Sequence, residues 1–212
     1  MSASERLAQE DRILREIRLS LSTFRTMRQD KPHRKGVVYA SAPITSGFRL
    51  YEEARAHGFI DAGEFRRAMN PLFRERVFLP NLAEGIRFGG ELRELGWRQV
   101  IVPGQFFAEG WTQEHYMSLW RQVIVRHTRT VAFADDWAWS LGCSEEFIIA
   151  LQHEKQALTQ NGKLLPWKAG LDAMRPAMDA IDGYGFDVKK HYELWRQATL
   201  TLEALQEERK IS

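Results

Sequence analysis

The chain has 212 residues, 44% of them hydrophobic, which suits one domain with a substantial core and additions rather than two full domains. With 30 basic and 28 acidic residues its formal charge is +2, so bulk electrostatics gives no argument for nucleic-acid binding. The single cysteine, Cys143, excludes an internal disulfide framework and a cysteine metal cluster, and no apolar run is long enough to cross a bilayer.

The charged start MSASERLAQEDRILREIRL is unlike a signal peptide, so a soluble cytoplasmic protein without a membrane partner is expected. Residues 4 to 29 read as a helix, with Leu7, Ile13, Leu14, Ile17, Leu21 and Phe24 at helical spacing. Gln29 to Lys35 is a polar break with a proline. Val37, Val38 and Tyr39 then make a short buried-type strand. The Ala40-Ser41-Ala42-Pro43 that follows leaves the backbone uncluttered for a ligand. Residues 49 to 57 read as helix, and the charged stretch 59 to 81 reads as a lid or excursion.

Leu82 to Leu95 is a predicted helix ended by Gly96, and Arg98 to Pro103 a second strand. The loop GQFFAEGWTQEH is rich in aromatics, and Thr112 is placed to cap a helix running to about Arg126. The seven tryptophans include several in such loops, where a flat ring often faces a ligand. A third strand is predicted at 130 to 134 and its helix at about 143 to 158. Asn161-Gly162 marks a turn, LLPW is at best a short strand, and helices over 168–181 and 188–208 close the chain. Strand–helix alternation of this kind predicts an α/β, doubly wound, mostly parallel sheet with helices on both faces.

The joint between the third strand and its helix, Thr130 to Lys155, carries the densest chemistry. In an open α/β sheet, ligands bind beyond the carboxyl ends of the strands. Glu145 and Glu146 fall in the expected first turn of the helix, where unpaired N–H groups favour an ionised carboxylate. Such a carboxylate can attack an anomeric carbon, or stabilise its charge as a base leaves. Ser140 and the bare backbone of Gly142 suit a phosphate or ribose hydroxyl. Asp135 and Asp136 are candidates for sugar binding or for protonating a leaving base, and Trp137 and Trp139 for stacking on one.

Each feature has a plainer explanation. First-turn glutamates suit the helix dipole on many proteins, paired aspartates are common turn residues, and tryptophans are more often core or rim. Cys143 reads better as a small buried helix residue than as a thiolate. The six histidines show no metal-ligand spacing, and no metal or cofactor is expected. The Arg66, Arg67, Arg74, Arg76 group reads first as a solvated face and second as a phosphate-gripping lid.

Three segments together resemble the nucleoside 2-deoxyribosyltransferase-like superfamily, which includes the nucleotide N-glycosidases. They are Tyr39-Ala40-Ser41-Ala42-Pro43 at the end of the early strand, LRELGWRQVIVP at the middle strand, and Ser140-x-Gly142-x-x-x-Glu146, with Trp137 three residues before the serine. The Gly162-Lys163 turn fits the same order. The resemblance covers about residues 36 to 165, leaving 1–35 and 166–212 as helical extensions. It implies that Glu146 is the nucleophile and that Tyr39 orients it or touches the sugar. It also implies that Ser140 and Gly142 line the 5′-hydroxyl or 5′-phosphate site, with Ser41 and Pro43 beside the substrate. A serine at 140 looks more like the nucleotide-hydrolase branch than the transferases.

The family's helix aspartate, which serves the leaving base, would fall near Trp120 to Gln122, where no acid stands; Asp136 or Glu114 are the candidate substitutes. The implied partner is a small-molecule nucleoside or nucleotide, and the implied assembly a homo-oligomer. A non-catalytic nucleotide sensor and a NAD glycohydrolase are the alternatives on the same fold.

Overall fold

Four short runs of β-branched and small residues pair into one sheet in the computed structural model, which describes residues 4, 5, 7–9, 11–16 and 36–211. The strands are β1 (Val37–Ser41), β2 (Gln99–Ile101), β3 (Thr130–Phe133) and β4 (Gln156–Leu158). All pair in parallel, in the order β2-β1-β3-β4. Parallel neighbours need crossover connections, and helices supply them here. Between β1 and β2 run α1 (Phe48–Ala56), α2 (Ala62–Ala68), α3 (Asn70–Phe73) and α4 (Leu79–Glu94). Helix α5 (Gln113–His127) joins β2 to β3, and α6 (Leu141–Gln152) joins β3 to β4. Helices α7 (Trp167–Gly183) and α8 (Lys189–Ile211) follow.

The central strands β1 and β3 are buried on both faces, so they are largely apolar without a polar side. Side chains still alternate with period two. Val37, Tyr39, Val131 and Phe133 face a core shared with α5, α6, α7 and α8. Val38, Ala40 and Ala132 face α4 through Phe88 and Leu92. Helix α4 comes close because Gly89 has no side chain; a Cβ there would stand 2.4 Å from Val102 Cγ2. The result is the expected α/β doubly wound fold. The order in which strands are added reverses between β1 and β3, the switch point at which such sheets open a crevice.

Several boundaries differ from the sequence reading. Residues 59–81 are mostly helical: α2 is capped by Asp61, whose Oδ1 accepts from Gly63 N and Glu64 N, and a π-helical turn (Arg74–Phe78) leads without a break into α4. Of the prolines that suggested a loop, Pro71 sits in the first turn of α3, where a missing N–H costs little, and Pro80 follows the π-helical turn, inside the continuous helical stretch. Helix α6 begins at Leu141 and stops at Gln152, so β4 falls inside what reads as the helix's last turn. Leu164 of the LLPW stretch only bridges Leu158. The Gly96 stop and the Gly162 turn stand where expected, both at positive φ. Residues 11–16 are helical and Leu14 joins the core; the rest of the predicted 4–29 helix beyond residue 16, and the break after it, lie outside the described residues. Among the described residues no helix is long and apolar enough to cross a membrane.

Candidate active site

The alternation along β1 places Tyr39 and Ser41 on one face, two residues apart. Helix α6 packs on that face, and nearly all of it is buried: Cys143, Phe147, Ile148, Ile149, Ala150 and Leu151 surround its axis. Glu146 stands in this apolar helix at 6% exposure. Both of its oxygens are engaged from β1. Tyr39 Oη donates to Oε1 at 2.5 Å, and Ser41 Oγ donates to Oε2 at 2.6 Å. Tyr39 and Ser41 are each 0% exposed, so they act behind the carboxylate and hold it.

The helix terminus does not hold the charge as the sequence reading supposed. Ser140 is the N-cap, its Oγ accepting from Cys143 N at 3.3 Å, so Glu146 is the sixth helical residue and lies in the second turn. The dipole's influence fades within the first turn. Burial pushes the Glu146 carboxyl up to about 7, while the Ser41 and Tyr39 hydrogen bonds pull toward the ionised form. The same burial, with the Glu146 charge, raises the Tyr39 phenol well above its ordinary value, so it remains a donor. Burial pushes the Cys143 thiol up to about 12, which makes it a neutral packing group rather than a nucleophile.

Glu146 opens into a cavity of about 520 Å³ at the carboxyl end of β1, well within the size range of small-molecule sites. Ser140, Gly142 and Cys143 form its floor beside the carboxylate. Ser140 Oγ also lies 2.8 Å from Ser46 Oγ, which ties the loop after β1 to the start of α6. Asn81 Nδ2 donates to Ile44 O at 3.3 Å and Ser46 O at 2.9 Å, fixing that loop from α4. The opposite wall is aromatic: Phe106, Trp111, Tyr116 and Trp120. Phe106 meets Trp120 edge-on at 5.4 Å, and Trp111 meets Tyr116 at 5.2 Å. Arg74, from the π-helical turn, lines the cavity as well, over the Phe78 ring.

The structure therefore brings together Glu146, Tyr39, Ser41, Ser140 and Gly142. Ser41 is a correction: it grips the carboxylate and does not face the substrate space. Pro43, Asp135 and Asp136 are elsewhere, on a second cavity of about 380 Å³ that also holds the Arg49–Glu84 ion pair. Asp136 adopts φ 60° and lines that second cavity, not the one at Glu146. Burial and the neighbouring Asp135 raise its carboxyl. Trp137 is not a stacking platform: it packs face to face on Phe147 at 4.9 Å inside the core. Trp139 packs edge-on against Phe48 at 5.1 Å. Trp120 does line the cavity, where the resemblance would place an acid, and Glu114 does not.

Sequence reasoning missed Gln113, Met117, Ile44 and Leu82 on the wall. The aromatic loop before α5 was a usable signal for Trp111, but nothing local marked the α5 residues. A wider groove of about 780 Å³ lies at the amino ends of the strands, away from Glu146. Its Lys155 ammonium is engaged by the carbonyls of Val125 at 2.8 Å and Thr128 at 3.0 Å. Among the described residues no cluster of His, Cys, Asp or Glu is placed to hold a metal ion. In comparisons with known proteins, the chain matches no family model, no curated protein and no solved structure.

Proposed function

We propose that this protein cleaves or transfers the N-glycosidic bond of a nucleoside or nucleoside 5′-monophosphate, with Glu146 as nucleophile. The observation that carries the reading is the buried carboxylate at the floor of a ligand-sized cavity, both oxygens fixed by Tyr39 and Ser41. A carboxylate held in this way has lost its hydration shell and keeps one orientation, which lowers the cost of reaching an attack geometry. Its oxygen adds to C1′ of the sugar as the C1′–N bond breaks and the electron pair leaves with the base. Water, or a second base, then attacks C1′ and releases the carboxylate. Tyr39 and Ser41 are positioning residues. The aromatic wall suits the flat base. Arg74, with Ser46, Ser140 and the first amides of α6, suits a 5′-phosphate.

The test is a panel of ribo- and deoxyribonucleosides and their 5′-monophosphates, with and without a second free base, with base release followed by chromatography. Release by the wild type that disappears in Glu146→Ala supports the proposal. No release by the wild type, or equal release by the variant, refutes it. Thermal stabilisation by a nucleotide without any release would leave a binding protein in its place.

A further inference from the structure

The cavity wall combines one carboxyl group and the Arg74 guanidinium with six aromatic rings, those of Phe78, Phe106, Phe107, Trp111, Tyr116 and Trp120. Among the described residues that line it, Glu146 is the only acid. Its two oxygens accept from Tyr39 and Ser41, the arrangement of a carboxylate rather than of a proton donor. The other O–H groups on the wall, those of Thr45, Ser46, Tyr116 and Ser140, are alcohols and a phenol, far weaker acids than a carboxyl group. Tyr116 Oη accepts from Ala108 N at 2.9 Å and donates to Ala108 O at 3.2 Å. Ser140 and Ser46 are bonded to each other at 2.8 Å. The face on which a departing base would lie carries Trp120, 4% exposed, and Phe106, with Trp111 and Tyr116 beyond them.

A neutral nucleobase leaves as an anion unless an acid protonates it. A ring nitrogen that already carries positive charge leaves as a neutral molecule and needs no acid. Aromatic faces and a desolvated carboxylate both attract such a cation before the bond breaks, and neither opposes departure of the neutral product. Building on the N-glycosidase reading above, we infer that the preferred substrates are N-ribosides whose leaving group is a cationic heteroaromatic ring, such as a pyridinium or an N7-alkylated purinium. In the first step the Glu146 oxygen forms a bond to C1′. The C1′–N bond breaks, and its electron pair cancels the charge on the ring. In the second step the water oxygen bonds to C1′, the ester opens to the carboxylate, and the water proton passes to solvent.

N7-methylguanosine 5′-monophosphate and guanosine 5′-monophosphate differ by one methyl group that fixes the charge, and they make a matched pair. Nicotinamide mononucleotide is a second cationic probe. Full-length protein is incubated with each, and base release is measured and corrected for spontaneous hydrolysis. The expected result is a kcat/KM at least about 100-fold higher for the cationic member, the contribution usual for a general acid, and its loss in Glu146→Gln. Phe106→Leu, at a partly exposed ring, is expected to raise KM for the cationic substrate about fivefold with kcat little changed. Equal rates on the matched pair, or an unchanged KM in Phe106→Leu, would overturn the cation preference and leave the N-glycosidase reading standing. Release from neither probe nor any neutral nucleoside would overturn both.

Discussion

Glu146→Gln separates the cost of the buried carboxylate from its use. Glutamine is an isostere of the protonated acid, so it keeps the shape and removes the charge. In the folded protein the Glu146 carboxyl is pushed from its ordinary 4.5 to about 7, chiefly by burial. A folded-state value above the unfolded one means that ionisation opposes folding. The cost is absent below about pH 4.5, grows between about 4.5 and 7, and is constant above. Linkage then gives about 3 kcal/mol at pH 8 and about 1 kcal/mol at pH 5. The variant should therefore be more stable than the wild type at pH 8, by about 5–10 °C in Tm for a chain of this size, and by only about 2–4 °C at pH 5. Urea or thermal unfolding of both proteins at the two pH values measures this. Comparing variant with wild type cancels the titration of every other group that the substitution leaves undisturbed. A variant that is destabilised equally at both pH values would refute a carboxylate desolvated at the cavity floor. Gain of stability with loss of activity is the expected signature of a group retained for function.

Four further outcomes follow from the geometry. Base release should rise with pH through about 7 and then level off, since the nucleophile is the ionised Glu146; release that falls through the same range would make it a proton donor. In Tyr39→Phe, which removes a bond to the charged form, that limb should move to higher pH, read from the same rate profile. Gly170→Ala would put a Cβ 2.3 Å from a Phe147 ring carbon, and Phe147 is held by Trp137, Phe133 and Trp167, so a loss of about 1–3 kcal/mol is expected in urea unfolding. Gly142→Ala meets Gln113 Nε2 at 3.6 Å and Met117 Sδ at 3.7 Å, ordinary contacts; it should keep or slightly raise Tm while the new methyl group, on the cavity floor, weakens nucleotide binding measured by calorimetry.

Much of the architecture was written locally. Buried-type runs separated by helical periodicity specify a parallel sheet, because parallel strands need helical crossovers and those helices cover both faces. Gly96 and Gly162 mark their turns because positive φ is cheap only without a Cβ. Period two alone puts Tyr39 and Ser41 on one side of β1. The sequence also holds a signal that spacing does not express: CSEEFIIALQ is a helix largely apolar around its circumference, so a charged residue in it is a candidate for a buried site that must satisfy it, and of its two glutamates Glu146 is the buried one while Glu145 stays partly exposed.

Tertiary structure decided the rest. Trp137 and Asp136 are neighbours of the site in sequence. The left-handed turn at Asp136 nevertheless sends the ring into the core and the carboxyl to another cavity. Whether two hydroxyls or a helix terminus would stabilise the Glu146 charge depended on where α6 begins, and the Ser140 cap fixes that two residues earlier than the apolar pattern suggests. The aromatic wall is assembled from the loop before α5 and from α5 itself, more than 60 residues from β1 in the chain. A sequence records which side chains share a face of one element. Which faces meet across a cavity is set only when the crossovers have packed, because that packing depends on the summed burial of the whole core.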